Sequence, residues 1–234
     1  METTSIRLLS ERLAEVRERI ARVCSQVGRR PEEVRLIGVT KTYGPELIEA
    51  AFEAGLEDVG ENRVQELISK QALVRAPVRW HLIGHLQRNK VKYVLGRVVL
   101  IHSLDSEALA REIEKRAADR GLVVPCLVEV NVSGEPTKHG IRPEDLPRLL
   151  ELISTLPHVR VEGLMTVAAY LEPPEAVAPQ FALLRELRDR YASWSSENIR
   201  LRELSMGMSH DFEVAIREGA TMVRIGTRLF GPRT

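Results

Sequence analysis

The spacing of hydrophobic positions changes character once along the chain. Between residues 5 and 27, Leu9, Leu13, Val16, Ile20 and Val23 step by three and four, which is one apolar stripe on an amphipathic helix. After Pro31 the pattern becomes a beat of short β-branched runs, each followed by helical spacing. The runs at 34–40, 57–59, 78–83, 98–102, 124–131, 159–163, 202–204 and 222–225 read as eight strands. Helical patterns at 45–54, 63–74, 87–94, 106–120, 143–155, 176–191 and 211–218 fall between them.

Strands that alternate with helices pair in parallel through right-handed crossovers, and eight of them can close on themselves. LIGV, CLVEV and MVRI are apolar on successive residues, as strands covered on both faces are. The expected fold is therefore a single-domain (β/α)8 TIM barrel over 1–234, with residues 1–30 forming an additional helix packed on it. An open doubly wound sheet shares the same periodicity, but no G-x-G-x-x-G follows any of the strands. The Pro-rich stretch LEPPEAVAP reads as a loop over the barrel rim.

A length of 234 residues suits one such barrel. Hydrophobic residues at 44% and a net charge of +1 describe an ordinary globular chain with no field to gather nucleic acid or an anionic membrane. Cys24 and Cys126 are far apart, so neither a disulfide framework nor a zinc knuckle is expected. The N-terminus has regularly recurring charges and no apolar core of a secretory signal, and no run is long enough to span a bilayer, so a cytoplasmic protein is expected. With no exposed apolar stripe evident, a monomer is expected as well.

In a parallel barrel the loops that follow the strands share one face, so polar residues at the strand ends belong to one site. The first strand leads into Lys41, the second into Glu61 and Asn62, the third carries His81 and Gly84, and the fourth leads to Ser103. Asn131, Met165, Thr166, the segment SMGMSHD at 205–211 and the segment VRIGTRLFG at 223–231 complete the ring. Lys41 follows the apolar run RLIGVT, and an amine beside a low-dielectric wall loses its proton more easily and can form an imine. A rim lysine with its stem along that wall fits the same position. Only six of the 34 Lys and Arg residues are lysines, and a lysine here favours a role arginine cannot take.

Gly226 and Thr227, with Ser205, Gly207 and Ser209 in the preceding loop, offer small side chains and backbone N–H groups that suit a phosphate; they also suit plain tight turns. Arg224 lies two residues before Gly226 and so faces the same side of the sheet. Directed inward, it can donate to a pyridine nitrogen while leaving that nitrogen unprotonated, or it can pair with a barrel glutamate. His81 and His85 are four apart, but Gly84 interrupts the segment and His81 belongs to a strand, so they do not read as a metal pair. His81 is expected as a buried, hydrogen-bonded ring and His85 as a rim residue.

VTK at 39–41, GENRVQE at 60–66, WHLIGHLQRNK at 80–90, SMGMSHD and VRIGTRLFG occur together and in order, and in this the chain resembles the pyridoxal phosphate homeostasis proteins. The resemblance implies the barrel of bacterial alanine racemase without its second domain. It also implies pyridoxal 5'-phosphate attached covalently to Lys41, with Asn62 and His81 near the ring, Arg224 at the pyridine nitrogen, Ser209, Gly226 and Thr227 around the phosphate, and Met208 lining the pocket. The function so implied is cofactor binding, buffering and delivery in vitamin B6 homeostasis, with PLP-dependent apoenzymes as partners and no turnover of its own. Two rivals stand beside it. One is an amino-acid racemase of low activity using Tyr43 or a partner chain as second base; the other is a cofactor-free lyase in which Lys41 attacks a phosphorylated sugar.

Overall fold

The structure is a computed structural model that describes residues 2–194 and 196–231, so the outermost residues of the expected 1–234 domain lie outside it. A long helix, α1 (Glu2–Gln26), precedes eight strands: β1 (Arg35–Val39), β2 (Asp58–Glu61), β3 (Arg79–Leu82), β4 (Leu100–Leu104), β5 (Val124–Glu129), β6 (Val159–Met165), β7 (Ile199–Ser205) and β8 (Met222–Ile225). Each pairs in parallel with the next, and β1 pairs with β8 from Arg35↔Met222 to Gly38↔Ile225, so the sheet closes into a barrel. Closure excludes the open sheet.

The helices α2 (Pro45–Glu53), α3 (Val64–Gln71), α4 (Val91–Val94), α5 (Glu107–Ala118), α6 (Leu146–Ser154), α7 (Ala178–Tyr191) and α8 (Phe212–Arg217) fill the crossovers, and α9 (Thr227–Phe230) follows β8. The stripe read from α1 is buried throughout, with Leu13 at 2% and Val16 at 0% exposure, and α1 packs on α2, α8 and α9. Arg19 Nε adds an ion pair to Glu213 Oε1 on α8 at 2.7 Å.

Among the boundaries that differ from the pattern, three stand out. The helix expected at 87–94 is a 3-10 turn, Arg88–Lys90, followed by the single turn of α4. β7 begins at Ile199, because IRLRELS alternates buried and exposed positions and its arginines break the apolar run without breaking the strand. The Pro-rich stretch is only partly a loop, since Pro174–Val177 forms a 3-10 turn that leads straight into α7. Where β6 meets β7, Gly163 is required: a Cβ there would stand 2.0 Å from the Glu203 carbonyl oxygen, and the register shifts at that point.

Candidate functional site

The strand ends converge as the topology demands, and their backbone is fixed before any ligand is considered. Lys41 is half-buried and follows Thr40, which is fully buried. Thr40 N donates to Gly60 O at 3.1 Å, and Thr40 Oγ1 donates to Glu61 Oε1 at 2.6 Å. Lys70 Nζ reaches across from α3 to Thr40 O at 2.6 Å and to Glu61 Oε1 and Glu66 Oε1 at 2.7 Å each. Thr42 takes a left-handed φ of 72°, an unfavourable conformation for a β-branched residue, and its N–H is held by Glu66 Oε1. A buried cation and two carboxylates thus lock the turn on both sides of Lys41. Burial pushes the Glu61 carboxyl up despite its bonds to Lys70 and Thr40. The half-buried Glu66 goes the other way, because the Lys70 ammonium and the Thr42 N–H outweigh its desolvation.

Inside the barrel, below that turn, polar groups form one continuous chain. Arg224 Nη1 donates to Ser205 Oγ at 2.6 Å, and Ser205 Oγ lies 2.9 Å from His102 Nδ1. His102 Nε2 meets His81 Nδ1 at 2.9 Å, and His81 Nε2 meets Asp58 Oδ1 at 2.8 Å. Asp58 receives Arg79 through Nε at 2.9 Å and Nη2 at 2.6 Å. Burial alone would raise the Asp58 carboxyl, but Arg79 and His81 hold it well below the usual carboxylate range. Burial lowers both His81 and His102, and for His102 the neighbouring His81 and Arg224 add to it.

The two ends settle the direction of every bond. Arg224 can only donate, and ionised Asp58 can only accept. With both rings neutral, His81 therefore carries its proton on Nε2, His102 carries its own on Nε2, and Ser205 gives its hydroxyl proton to His102 Nδ1. His81 is fully buried with both nitrogens engaged, so it reaches the mouth of the barrel through His102 and Ser205. Arg79, half-exposed, closes the chain at the opposite mouth, where a cleft of about 650 Å³ lined by Arg17, Arg35 and Glu57 carries none of the C-terminal strand ends.

Arg224 itself is 4% exposed, and its Nη2 donates to Thr166 O at 2.8 Å. Among the described residues no carboxylate stands at ion-pair distance from it, and burial lowers its pKa to about 10, with Glu129 and Asp211 opposing from farther off. Glu129, at the end of β5, is 5% exposed, and burial raises it to about 7 with help from Asp105 and against Arg224.

At the mouth, Ser209 Oγ accepts long bonds from Gly226 N at 3.3 Å and Arg228 N at 3.5 Å, bringing the two loops together. Thr227 and Met208 are exposed beside them, and Met208 N is fixed by Asp211 Oδ1 at 2.7 Å. Gly207, with φ 95°, is obligatory: a Cβ would lie 2.6 Å from Ala215 Cβ. Gly226 has no such constraint, since a Cβ there would meet Val39 at an ordinary 3.5 Å. Among the described residues, the buried side-chain oxygens without a partner are Glu61 Oε2, Asn62 Oδ1 and Ser103 Oγ, all at strand C-terminal ends.

The candidates Lys41, Asn62, Met208, Ser209, Arg224, Gly226 and Thr227 are thus gathered at one mouth, with His81 beneath. His102 and Glu129 escaped sequence reasoning because both sit inside apolar runs, LIHSL and CLVEV, that read as core. The signal for Glu129 was a lone acid in a strand buried on both faces.

The profile of the family described as "Alanine racemase, N-terminal domain" matches residues 12–234. The pyridoxal phosphate homeostasis protein of Aquifex aeolicus is 54% identical over 95% of this chain and 97% of its own. Among solved structures, one described as an unknown protein from Bifidobacterium adolescentis is 39% identical with a TM-score of 0.91, covering 98% of this chain and 97% of that one. PipY of Synechococcus elongatus, solved with PLP bound, is 37% identical with a TM-score of 0.83, covering 95% of this chain and 100% of that one.

Proposed function

We propose that this chain, which belongs to the pyridoxal phosphate homeostasis proteins within the family of the alanine racemase N-terminal domain, binds pyridoxal 5'-phosphate at the C-terminal mouth of its barrel, holds it covalently on Lys41 and gives it up to apoenzymes in the cytoplasm. The observation that carries the reading is Arg224, a buried guanidinium fixed by a hydroxyl and a carbonyl with no carboxylate at ion-pair distance among the described residues. A group in that state favours a ligand that presents a lone pair. The unpartnered oxygens of Asn62 and Ser103 add to the fit, since buried polar atoms seek partners.

Bound pyridoxal phosphate supplies an aldehyde that condenses reversibly with an amine. Lys41 supplies the amine from a turn that Lys70, Glu61 and Glu66 keep rigid. Arg224 would donate to the ring nitrogen, and with a pKa of about 10 it stays a donor at neutral pH and would keep that nitrogen unprotonated. Asn62, whose buried Oδ1 has no partner, would line the ring. Ser209, Gly226 and Thr227 would hold the phosphate, with the Gly226 and Arg228 N–H groups, which make only long bonds to the Ser209 hydroxyl, as further donors to it. Met208 covers one wall, and His81 acts from below by holding His102 and thereby Ser205.

An unprotonated ring nitrogen withdraws electrons poorly, which favours storage over turnover. The racemase reading needs a second acid or base, and Tyr43 is a poor one: its hydroxyl donates to Gly231 O at 2.7 Å and its ring packs on Phe230. Among the described residues no helix is long and apolar enough to cross a membrane. We read the chain as a monomer in solution.

Borohydride reduction, digestion and mass spectrometry test the proposal. A yellow protein should yield a pyridoxyl adduct on the Lys41 peptide, and Lys41→Ala should lose both colour and adduct. Unmodified Lys41 in colourless protein supplied with excess cofactor would overturn it and favour a lysine that attacks a phosphorylated sugar.

A further inference from the structure

Three metal-ligating side chains outside the hydrogen-bonded chain converge on the rim of the same face. They come from successive strand ends: His85 after β3, Asp105 after β4, and His139 in the loop after β5. One donor atom from each lies within 4.8 Å of the other two. His85 Nδ1 and Asp105 Oδ2 are 3.1 Å apart. The imidazoles of His85 and His139 stack, with centroids 4.2 Å apart and planes 10° from parallel. We propose that His85, Asp105 and His139 form a binding site for a borderline divalent transition-metal ion of the zinc class, independent of what the barrel mouth holds.

The backbone carrying each ligand is fixed. A Cβ on Gly84 would lie 2.3 Å from Asn62 O, so the chain just before His85 is pressed against the end of β2. Asp105 precedes Ser106, whose hydroxyl caps α5 by accepting from Leu109 N at 3.1 Å. The loop bearing His139 leaves β5 and returns to it: Asn131 N donates to Ile141 O at 2.8 Å, and Ile141 N donates to Glu129 O at 2.9 Å. Gly140, with φ 104°, makes that return possible, and a Cβ there would meet Asn131 N at 2.7 Å. Three rigid loops therefore present three ligands to one point, which lowers the ordering cost of binding.

Two imidazole nitrogens and one carboxylate oxygen select zinc, cobalt, nickel or copper over magnesium and calcium, which favour oxygen alone. Three protein ligands leave a fourth position open. Metal–ligand bonds of about 2.0 Å set donor atoms roughly 3.3 Å apart, so the ligands must draw together. Parallel rings cannot both contain the ion in their planes. His85 and His139 are exposed, and His139 turning about its Cβ–Cγ bond opens the stack and directs its lone pair at the ion.

The test uses the full chain without a histidine tag, cleared of metal with a chelator and titrated with zinc against a chromophoric competitor. Cobalt(II), with its visible d–d bands, serves as the second probe. One equivalent per chain is expected, with affinity reduced at least about tenfold by His85→Asn and separately by His139→Ser, and unchanged by His158→Asn on another surface. All three positions are at least partly exposed, and far-UV circular dichroism checks that each variant folds. Failure of both ions to bind at one equivalent, or binding that survives either rim substitution, overturns the site.

Discussion

Glu129 is the residue whose ionisation most directly tests the electrostatics of the barrel mouth. Burial raises its carboxyl from 4.5 to about 7, with Asp105 adding to the shift and Arg224 opposing it. The folded protein therefore holds a proton that the unfolded chain has already lost. The stability tied to this group is intact below about pH 4.5 and is lost as pH rises through 7, the opposite of the usual acidic residue. Glu129→Gln removes the dependence, so above pH 8 the ligand-free variant should be more stable than the parent by up to about 3 kcal/mol, with the difference vanishing near pH 4. Urea unfolding at the two extremes measures it, and an equal difference at both would discard the assignment. Lys41 and Arg224 were legible in the sequence because each falls at or near the end of a strand, where the fold alone makes a polar side chain conspicuous. Glu129 and His102 were not: the strand read at 124–131 put Glu129 in its interior, His102 shares no spacing with another histidine, and the groups that give each its meaning come from other strands and loops.

Among elements, the alternation of strand and helix was readable because burial on both faces writes continuous apolar runs. What stayed hidden were elements whose ends are polar but buried. β2 extends to Glu61 because Thr40 and Lys70 satisfy one of its carboxylate oxygens, a contact no local pattern announces. The N-terminal helix was plain from its stripe, but not its target. α1 packs on α8 and α9, and α9 follows the Gly226 loop that Ser209 joins to β7. Leu13, 2% exposed on the buried stripe of α1, should cost about 2–5 kcal/mol of stability when cut to alanine. Because α9 borders the proposed phosphate loop, Leu13→Ala should also weaken retention of pyridoxal phosphate, measured as faster loss of colour on dialysis. An unchanged loss rate in a variant destabilised to that degree would confine α1 to holding the barrel together.

Taken as a whole, the barrel is threaded by a line of hydrogen bonds from Arg79 at one mouth to Arg224 at the other. From Arg224 through Ser205, His102 and His81 the donors all point towards Asp58, Arg79 donates to Asp58 from the other side, and this polarity depends on Asp58 being charged. Asp58→Asn replaces a group that can only accept with one that can also donate. If the asparagine amide donates to His81 Nε2, each ring must move its proton to Nδ1, and His102 then donates to Ser205 Oγ. Ser205 already accepts from Arg224, so its own hydroxyl proton would have to leave the line for another acceptor. The reversal is therefore opposed at the far end. The variant should hold a mixture of tautomers, with looser positioning of Arg224 and the loss of the Arg79 pairing costing a few kcal/mol. Nitrogen-15 shifts of the imidazoles read this directly. In the parent protein both rings should show a bare Nδ1 and a protonated Nε2, unchanged across neutral pH, and Asp58→Asn should mix the two forms. The visible band of the cofactor-loaded protein should shift with it, although Asp58 lies at the opposite end of the barrel. A parent His102 protonated on Nδ1 would set its bare Nε2 against the bare Nδ1 of His81, which would mean that the line is broken between the two rings and that Arg224 and His102 both donate to Ser205 Oγ.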